Sequence, residues 1–196
     1  TRKQVGANHR RPVYLTMTKP KSRAKRAVFS RRYYHNLKEI SNDVRYISGQ
    51  KENIRRAMRE LISFDFRERL MMVVTEVNGC RYCSSFHAKE ALKSGISNEE
   101  LKVLLAGEIP EDAPFEEIPA LVYAQHWAES DAQPDDATVQ RLIDEYGQEK
   151  ADAIHIVLRM IRMGNLSGNL LDYILFKLSF GKLGGAEKDE SFVILK

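Results

Sequence analysis

The apolar residues of the N-terminal quarter recur at helical spacing. Between about residues 24 and 47 an apolar side chain returns every three or four positions, which places these side chains along one face of a helix. The pattern stops at Ser48-Gly49. We therefore expect an amphipathic helical arm that packs on the body of the protein or on a neighbouring subunit. Its apolar face consists of Val28, Phe29, Tyr33, Leu37, Ile40 and Val44.

A second apolar pattern is nearly continuous. From Leu70 to Val77 most residues are apolar, and the stretch from Asp65 to Asn78 contains neither glycine nor proline. Valines by themselves fit a helix or a strand. Because these fourteen residues exceed the usual length of a strand, we expect a helix that is buried on most sides and capped by Asp65.

The other segments have helical patterns separated by glycine, proline and polar breaks. Gly95 is expected to end the helix that begins near Cys80, and Ser97 and Glu100 have the spacing of a capping box. The pattern of the last segment, residues 149–180, predicts two helices, or one helix kinked at residues 163–165. With no convincing strand pattern and no repeat, the predicted fold class is an all-α helical bundle. The predicted helices after the arm are 53–62, 65–78, 80–93, 97–107, 118–128, 138–146 and 149–180.

A length of 196 residues suits one domain with tails. The expected organisation is a basic tail over residues 1–22, the helical arm over 23–49, a helical domain over 50–181 and a C-terminal tail over 182–196.

The net charge of +4 is distributed unevenly. Residues 1–32 contain eleven Lys or Arg and no Asp or Glu, which leaves twenty basic and twenty-seven acidic side chains for the rest of the chain. Such an acid-free, weakly apolar tail is expected to be mobile. Its cations would suit the phosphate groups of nucleic acid or of anionic lipid. No aromatic-interleaved motif accompanies them, so nucleic acid is not an expected partner.

The longest apolar region, residues 153–180, does not fit a membrane span, because four charged side chains interrupt it. We therefore expect no membrane association. The chain has only two cysteines, three positions apart, which is not the pattern of a secreted disulfide scaffold. A cytoplasmic location is the expectation. The four charged residues are Arg159, Arg162, Asp172 and Lys177.

Both cysteines and a histidine lie within eight residues, as Cys80, Cys83 and His87. On a helix that begins near Cys80 these three side chains project from one face. Two Cα atoms three positions apart on a helix are roughly 5 to 5.5 Å apart, which allows a disulfide to form and break without movement of the backbone. A cysteine in the first turn also lies at the positive end of the helix dipole, which favours the thiolate. The spacing predicts a redox site.

Other interpretations of these residues stay open. The cysteines also fit two small buried hydrophobic residues, or half of a zinc site completed by His87, Glu68 or another histidine. A single histidine on a helix is often a core residue, and Glu68 by sequence alone is an ordinary surface carboxylate. Glu76 lies on a roughly similar helix face and is the alternative to Glu68.

The spacing of four residues resembles that of the carboxymuconolactone decarboxylase and alkylhydroperoxidase D superfamily. Members with peroxidase activity carry a glutamate, a Cys-x-x-Cys pair twelve residues later, and a histidine four residues after the second cysteine. Glu68, Cys80, Cys83 and His87 occupy those positions. The resemblance covers roughly residues 50–180.

Two further features bear on this resemblance. The element Gly95-Ile-Ser97-x-x-Glu100, which follows the motif helix in the family, is present. The alkylhydroperoxidase D prototype has a histidine between the cysteines, whereas this chain has Tyr82, a residue found there in the wider superfamily. The proton relay of the prototype is therefore expected to be altered.

The resemblance implies a thiol-dependent peroxidase with an oligomeric helical bundle. Cys83 would attack a hydroperoxide as the thiolate, Cys80 would resolve the sulfenic acid to a disulfide, and His87, oriented by Glu68, would handle the proton. No bound cofactor is implied. An external dithiol, either a thioredoxin-like protein or a lipoyl group, would reduce the disulfide, and a homotrimer or homohexamer is expected.

Two rival functions stay open. The first is a non-redox enzyme like the lactone decarboxylases of the family, which do not depend on the cysteine pair. The second is an oligomeric scaffold that binds nucleic acid through its basic arm. The intact Cys-x-x-Cys pair favours the peroxidase.

Overall fold

The computed structural model describes residues 28–185, which contain seven α-helices and no strand. The predicted all-α class is confirmed for this part of the chain, and none of its helices is long and apolar enough to cross a membrane. The predicted basic tail, residues 23–27 of the predicted arm and residues 186–196 of the predicted C-terminal tail lie outside the described residues. The helices are α1 Leu37–Ser48, α2 Lys51–Arg56 with a π-helical continuation Ala57–Leu61, α3 Phe64–Asn78, α4 Arg81–Ser94, α5 Asn98–Leu105, α6 Ile118–Glu129 and α7 Asp136–Leu178.

The predicted arm helix is shorter than expected. It begins only at Leu37, because Asn36 is extended and its side chain caps the helix by accepting from the Glu39 N–H at 3.0 Å. Residues 28–36, here called the N-terminal strap, are not helical. Tyr33 of the strap stacks on Tyr173 of α7 with ring centroids 4.1 Å apart. The apolar periodicity before residue 37 therefore reflects packing of the strap, and not a helix face.

Helix α3 is the centre of the bundle and packs against α4, α5, α6 and α7. Most of its side chains are buried, as the nearly continuous apolar pattern predicted. The predicted cap is wrong: Ser63 accepts from the Phe66 N–H, whereas Asp65 lies inside the first turn and accepts from Arg69 one turn later. Gly79 ends the helix in the left-handed conformation that glycine adopts without strain, with φ of 71°.

Helix α7 is interrupted at Gly147, where the sequence predicts the end of a helix. The alternative kink at residues 163–165 is absent. Asn165 is buried there, donates to Thr75 and accepts from Asn78, both at 3.1 Å and both on α3. Because its amide is satisfied across the helix interface, it does not compete for the backbone of α7.

One arginine holds three acidic side chains at the side of α3. Arg69 donates to Glu100 at 2.5 Å, to Asp65 at 2.9 Å and to Glu117 at 3.0 Å. Ser97 caps α5 as predicted, but the Glu100 carboxylate does not complete the capping box because it binds Arg69. Burial raises the pKa of Glu117 to about 7 although Arg69 opposes this, and Asp65 adds repulsion.

Replacing Glu117 by Gln should make the free energy of unfolding less dependent on pH between pH 5 and pH 8. The pKa of Glu117 is raised in the folded state above its ordinary value of 4.5, so its stabilising effect is complete below about pH 4.5 and is lost as the pH rises through about 7. The loss is about 2 to 3 kcal/mol in the free energy of unfolding. Glutamine accepts from Arg69 without ionising. Urea unfolding at the two pH values measures the difference.

The matched control is Glu116→Gln, at the exposed neighbouring position. That variant should keep most of the pH dependence of the wild type, because the charge of Glu116 raises the pKa of Glu117 less than burial and Asp65 do. Equal flattening in both variants, or none in Glu117→Gln, would contradict the assignment of the slope to Glu117.

Candidate active site

The two cysteines lie at the junction of α3 and α4. Gly79 breaks α3, and Cys80 is the N-cap of α4, where its sulfur accepts from the Cys83 N–H at 3.4 Å. Cys80 and Cys83 are joined in a disulfide with Cα atoms 5.3 Å apart, within the separation expected from the spacing. Cys83 is the third residue of α4, so both sulfurs lie at the positive end of the helix dipole, where a thiolate is favoured.

The two sulfurs differ in exposure. Cys80 is fully buried, whereas Cys83 is partly exposed. Gly168 of α7 lies directly behind Cys80, and a Cβ at that position would come 3.1 Å from the Cys80 sulfur. The absence of a side chain at Gly168 therefore allows α7 to approach the Cys80 sulfur closely. A molecule from solvent reaches the disulfide through Cys83.

The structure brings Glu68 and His87 together. Nδ1 of His87 lies 2.7 Å from Oε2 of Glu68, which is 3% exposed on α3. A carboxylate accepts hydrogen bonds, so Nδ1 is the donor in this contact and Nε2 is the ring nitrogen left free of Glu68. Nε of Arg67 lies 3.7 Å from Oε1 of Glu68 and supplies a nearby positive charge.

Glu76, the alternative carboxylate, has another partner. Its Oε1 accepts from the Ser84 hydroxyl at 2.8 Å and so connects α3 to α4. Glu68 is therefore the carboxylate that orients His87, and the contact is direct.

Sequence reasoning did not identify the group of side chains that surrounds the residues between the cysteines. Asp172 of α7 is fully buried and accepts from Arg81, Tyr82 and Arg31. Burial alone would raise the pKa of Asp172, but the hydrogen bonds from Arg81 and Tyr82 outweigh it, and the pKa is lowered. This carboxylate is ionised at neutral pH.

A signal for Asp172 is nonetheless present in the sequence. Asn165, Asn169 and Asp172 recur at intervals of four and three, which places three polar residues on one face of the C-terminal half of α7. All three are buried in the structure. Such a buried polar row on a core helix indicates partners on a facing element.

Among residues 28–185, no group of three or more His, Cys, Asp or Glu is arranged to hold a metal ion. Within the same range the cysteines are joined to each other. The arrangement at the start of α4 is thus a disulfide beside a carboxylate-oriented histidine.

Comparison with known proteins gives one match. A family model described as the carboxymuconolactone decarboxylase family matches residues 33–130, which is half of the chain and includes all four predicted site residues. No curated protein and no solved structure matches the chain significantly.

Proposed function

Because the chain belongs to the carboxymuconolactone decarboxylase family, we propose that it is a thiol-dependent peroxidase of the alkylhydroperoxidase D-like type. The observation that carries this proposal is the Cys80–Cys83 disulfide at the start of α4, with His87 one turn after Cys83 on α4 and bound to Glu68 of α3. The enzyme would reduce a hydroperoxide through a cycle between dithiol and disulfide.

In the first step the Cys83 thiolate attacks the O–O bond of the hydroperoxide. A sulfur–oxygen bond forms, the O–O bond breaks, and the departing alkoxide takes a proton to become an alcohol. Cys83 is oxidised to the sulfenic acid. The partial exposure of its sulfur and its place in the first turn of α4 favour Cys83 over the buried Cys80 as the nucleophile.

In the second step the Cys80 sulfur attacks the sulfur of the sulfenic acid. The disulfide forms, the sulfur–oxygen bond breaks, and the hydroxide leaves with the Cys80 proton as water. An external dithiol, thioredoxin-like or lipoyl, then exchanges with the disulfide: its own two sulfurs become joined, and Cys80 and Cys83 recover their protons. One hydroperoxide and one dithiol are thereby converted to alcohol, water and disulfide.

His87 supplies the base in this scheme. With Nδ1 bound to Glu68, its Nε2 accepts the Cys83 thiol proton and returns it to the departing oxygen. Glu68 fixes the ring and stabilises the imidazolium that forms. Tyr82 is not suited to this task, because its hydroxyl donates to the Asp172 carboxylate at 2.9 Å and a phenol is a poor base at neutral pH.

The rival functions predict different chemistry at the cysteines. A decarboxylase-like enzyme does not depend on the cysteine pair, and a nucleic-acid scaffold would act through the basic tail. The paired sulfurs and the oriented histidine favour the peroxidase over both.

Free-thiol titration before and after one equivalent of hydroperoxide tests the proposal. The reduced protein should lose two thiols per chain and form no covalent dimer, because the two sulfurs are within bonding distance in one chain. Mass spectrometry of the products separates the intramolecular disulfide from overoxidised cysteine. Two thiols left intact after treatment would rule out the peroxidase and favour the rivals.

The homo-oligomer, a trimer or hexamer, stays a prediction, as do the cytoplasmic location and the identity of the reductant. Four exposed apolar side chains at helical spacing on one face of α7 are compatible with subunit contacts. They are Leu171, Ile174, Leu175 and Leu178.

A further inference from the structure

The two residues between the cysteines are bound to a carboxylate on another helix. Arg81 donates from Nε and Nη2 to the two oxygens of Asp172 at 2.9 and 2.8 Å, and the Tyr82 hydroxyl donates to Oδ1 at 2.9 Å. Arg31 of the N-terminal strap donates to Oδ2 at 2.7 Å. The carboxylate oxygens of Asp172 therefore accept four hydrogen bonds, about the number that they can accept.

The same carboxylate connects the surroundings of Cys80. Gly168, one turn before Asp172 on α7, faces the Cys80 sulfur, and a Cβ at Gly79 would lie 3.0 Å from Cγ of Arg31. The strap, the turn that precedes Cys80 and the first turn of α4 thus meet around one buried acid. Bidentate arginine–carboxylate pairs fix orientation as well as supplying energy, so the backbone that carries both sulfurs is held from α7.

We propose that Asp172 is a positioning residue for the redox cysteines. This inference rests on the proposed dithiol cycle. By holding Arg81 and Tyr82, Asp172 keeps the Cys80 sulfur close to the Cys83 sulfur after the sulfenic acid has formed, when no covalent bond joins them. A reaction between two groups that are held close together is faster in proportion to their effective concentration. Asp172 therefore accelerates closure of the disulfide.

The chain contains a matched control in Asp43 of α1. Asp43 is 2% exposed and also accepts from a tyrosine and two arginines, Tyr34 at 2.7 Å, Arg159 at 2.9 Å and Arg162 at 2.5 Å. Arg162 lies ten residues before Asp172 on α7, or roughly 15 Å along the helix axis. Asp43→Asn removes the same kind of buried charge at a site that holds no cysteine.

The test compares Asp172→Asn with Asp43→Asn, each reduced and mixed with one equivalent of hydroperoxide. Dimedone trapping measures the sulfenic acid, and the loss of the second thiol measures closure. Asp172→Asn should form the sulfenic acid within about threefold of the wild-type rate but close the disulfide about tenfold more slowly, so that trapped sulfenic acid increases. Asp43→Asn should close at the wild-type rate. Equal closure rates in wild type and Asp172→Asn, or equal slowing in both variants, would overturn the proposal.

A second measurement does not require peroxide. In a glutathione redox buffer, the equilibrium constant for disulfide formation should fall about tenfold in Asp172→Asn, or about 30 mV for the two-electron couple, and should be unchanged in Asp43→Asn. If the wild-type protein does not react with peroxide but the redox-buffer result is as expected, the peroxidase function is refuted and the role of Asp172 is supported. A wild-type protein that cycles, with Asp172→Asn identical to it in both assays, would refute only the role of Asp172.

If Asp172→Asn does not fold, Arg81→Gln takes its place. Arg81 is partly exposed, and its loss leaves Asp172 paired with Arg31 and Tyr82. Closure should slow several-fold, with sulfenic acid trapped as before. Closure of Arg81→Gln at the wild-type rate would count against the proposal.

Discussion

Cys83→Ser should reduce hydroperoxide turnover with a dithiol reductant by on the order of 10³-fold or more, because removal of a nucleophile leaves only residual catalysis. Serine is close in size but has no thiolate to attack the O–O bond. The prediction follows from exposure and position, since Cys83 is the partly exposed sulfur in the first turn of α4. Peroxide consumption under steady-state conditions measures the loss.

Cys80→Ser is the matched control for the nucleophile. That variant should lose the disulfide cycle but retain one reaction per chain, which converts Cys83 to a sulfenic acid that dimedone then traps as a thioether, with loss of water. In the proposed cycle, buried Cys80 is needed only to resolve this intermediate. A result in which Cys83→Ser gains the oxygen and Cys80→Ser does not would exchange the two roles.

His87→Gln or His87→Ala should lower turnover by roughly 10²-fold or more, the usual range for a lost general base. Tyr82 occupies the position that holds a histidine between the cysteines in the alkylhydroperoxidase D prototype. Proton transfer from Cys83 is therefore expected to depend on Nε2 of His87 or on water. Glu68→Gln should lower turnover by a smaller factor, because the glutamine oxygen still accepts from Nδ1 of His87 although the negative charge is lost. Steady-state kinetics on the reduced enzymes compares the three variants.

Tyr82→Phe is the control for the histidine. It should keep at least about a third of the activity, because Arg81 retains both of its bonds to Asp172 and the hydroxyl transfers no proton. The pH–rate profiles decide between the two side chains. If Tyr82→Phe loses the acid limb of the profile and His87→Gln keeps it, the base is not His87.

Helix ends were predictable wherever one residue determines them. Gly79 and Gly95 have positive φ at the ends of α3 and α4, and Gly147 interrupts α7, all at positions that the sequence marks as ends. These predictions succeed because positive φ is required at a single position, and glycine adopts that conformation without strain. For residues 28–36 the prediction failed, because apolar residues at spacings of three and four also occur in an irregular strap that packs its rings on α7.

The amino-acid sequence alone determined the helical class and placed two sulfurs within disulfide reach, because the geometry of residues three apart depends only on the local backbone. Tertiary structure decided which carboxylate meets His87, since Glu68 and Glu76 both lie on α3 and the packing of α3 against α4 selects Glu68. It also decided the partners of Asp172, which is 91 positions from Arg81. Contacts of that range depend on how helices pack, and no periodicity within one segment contains that information.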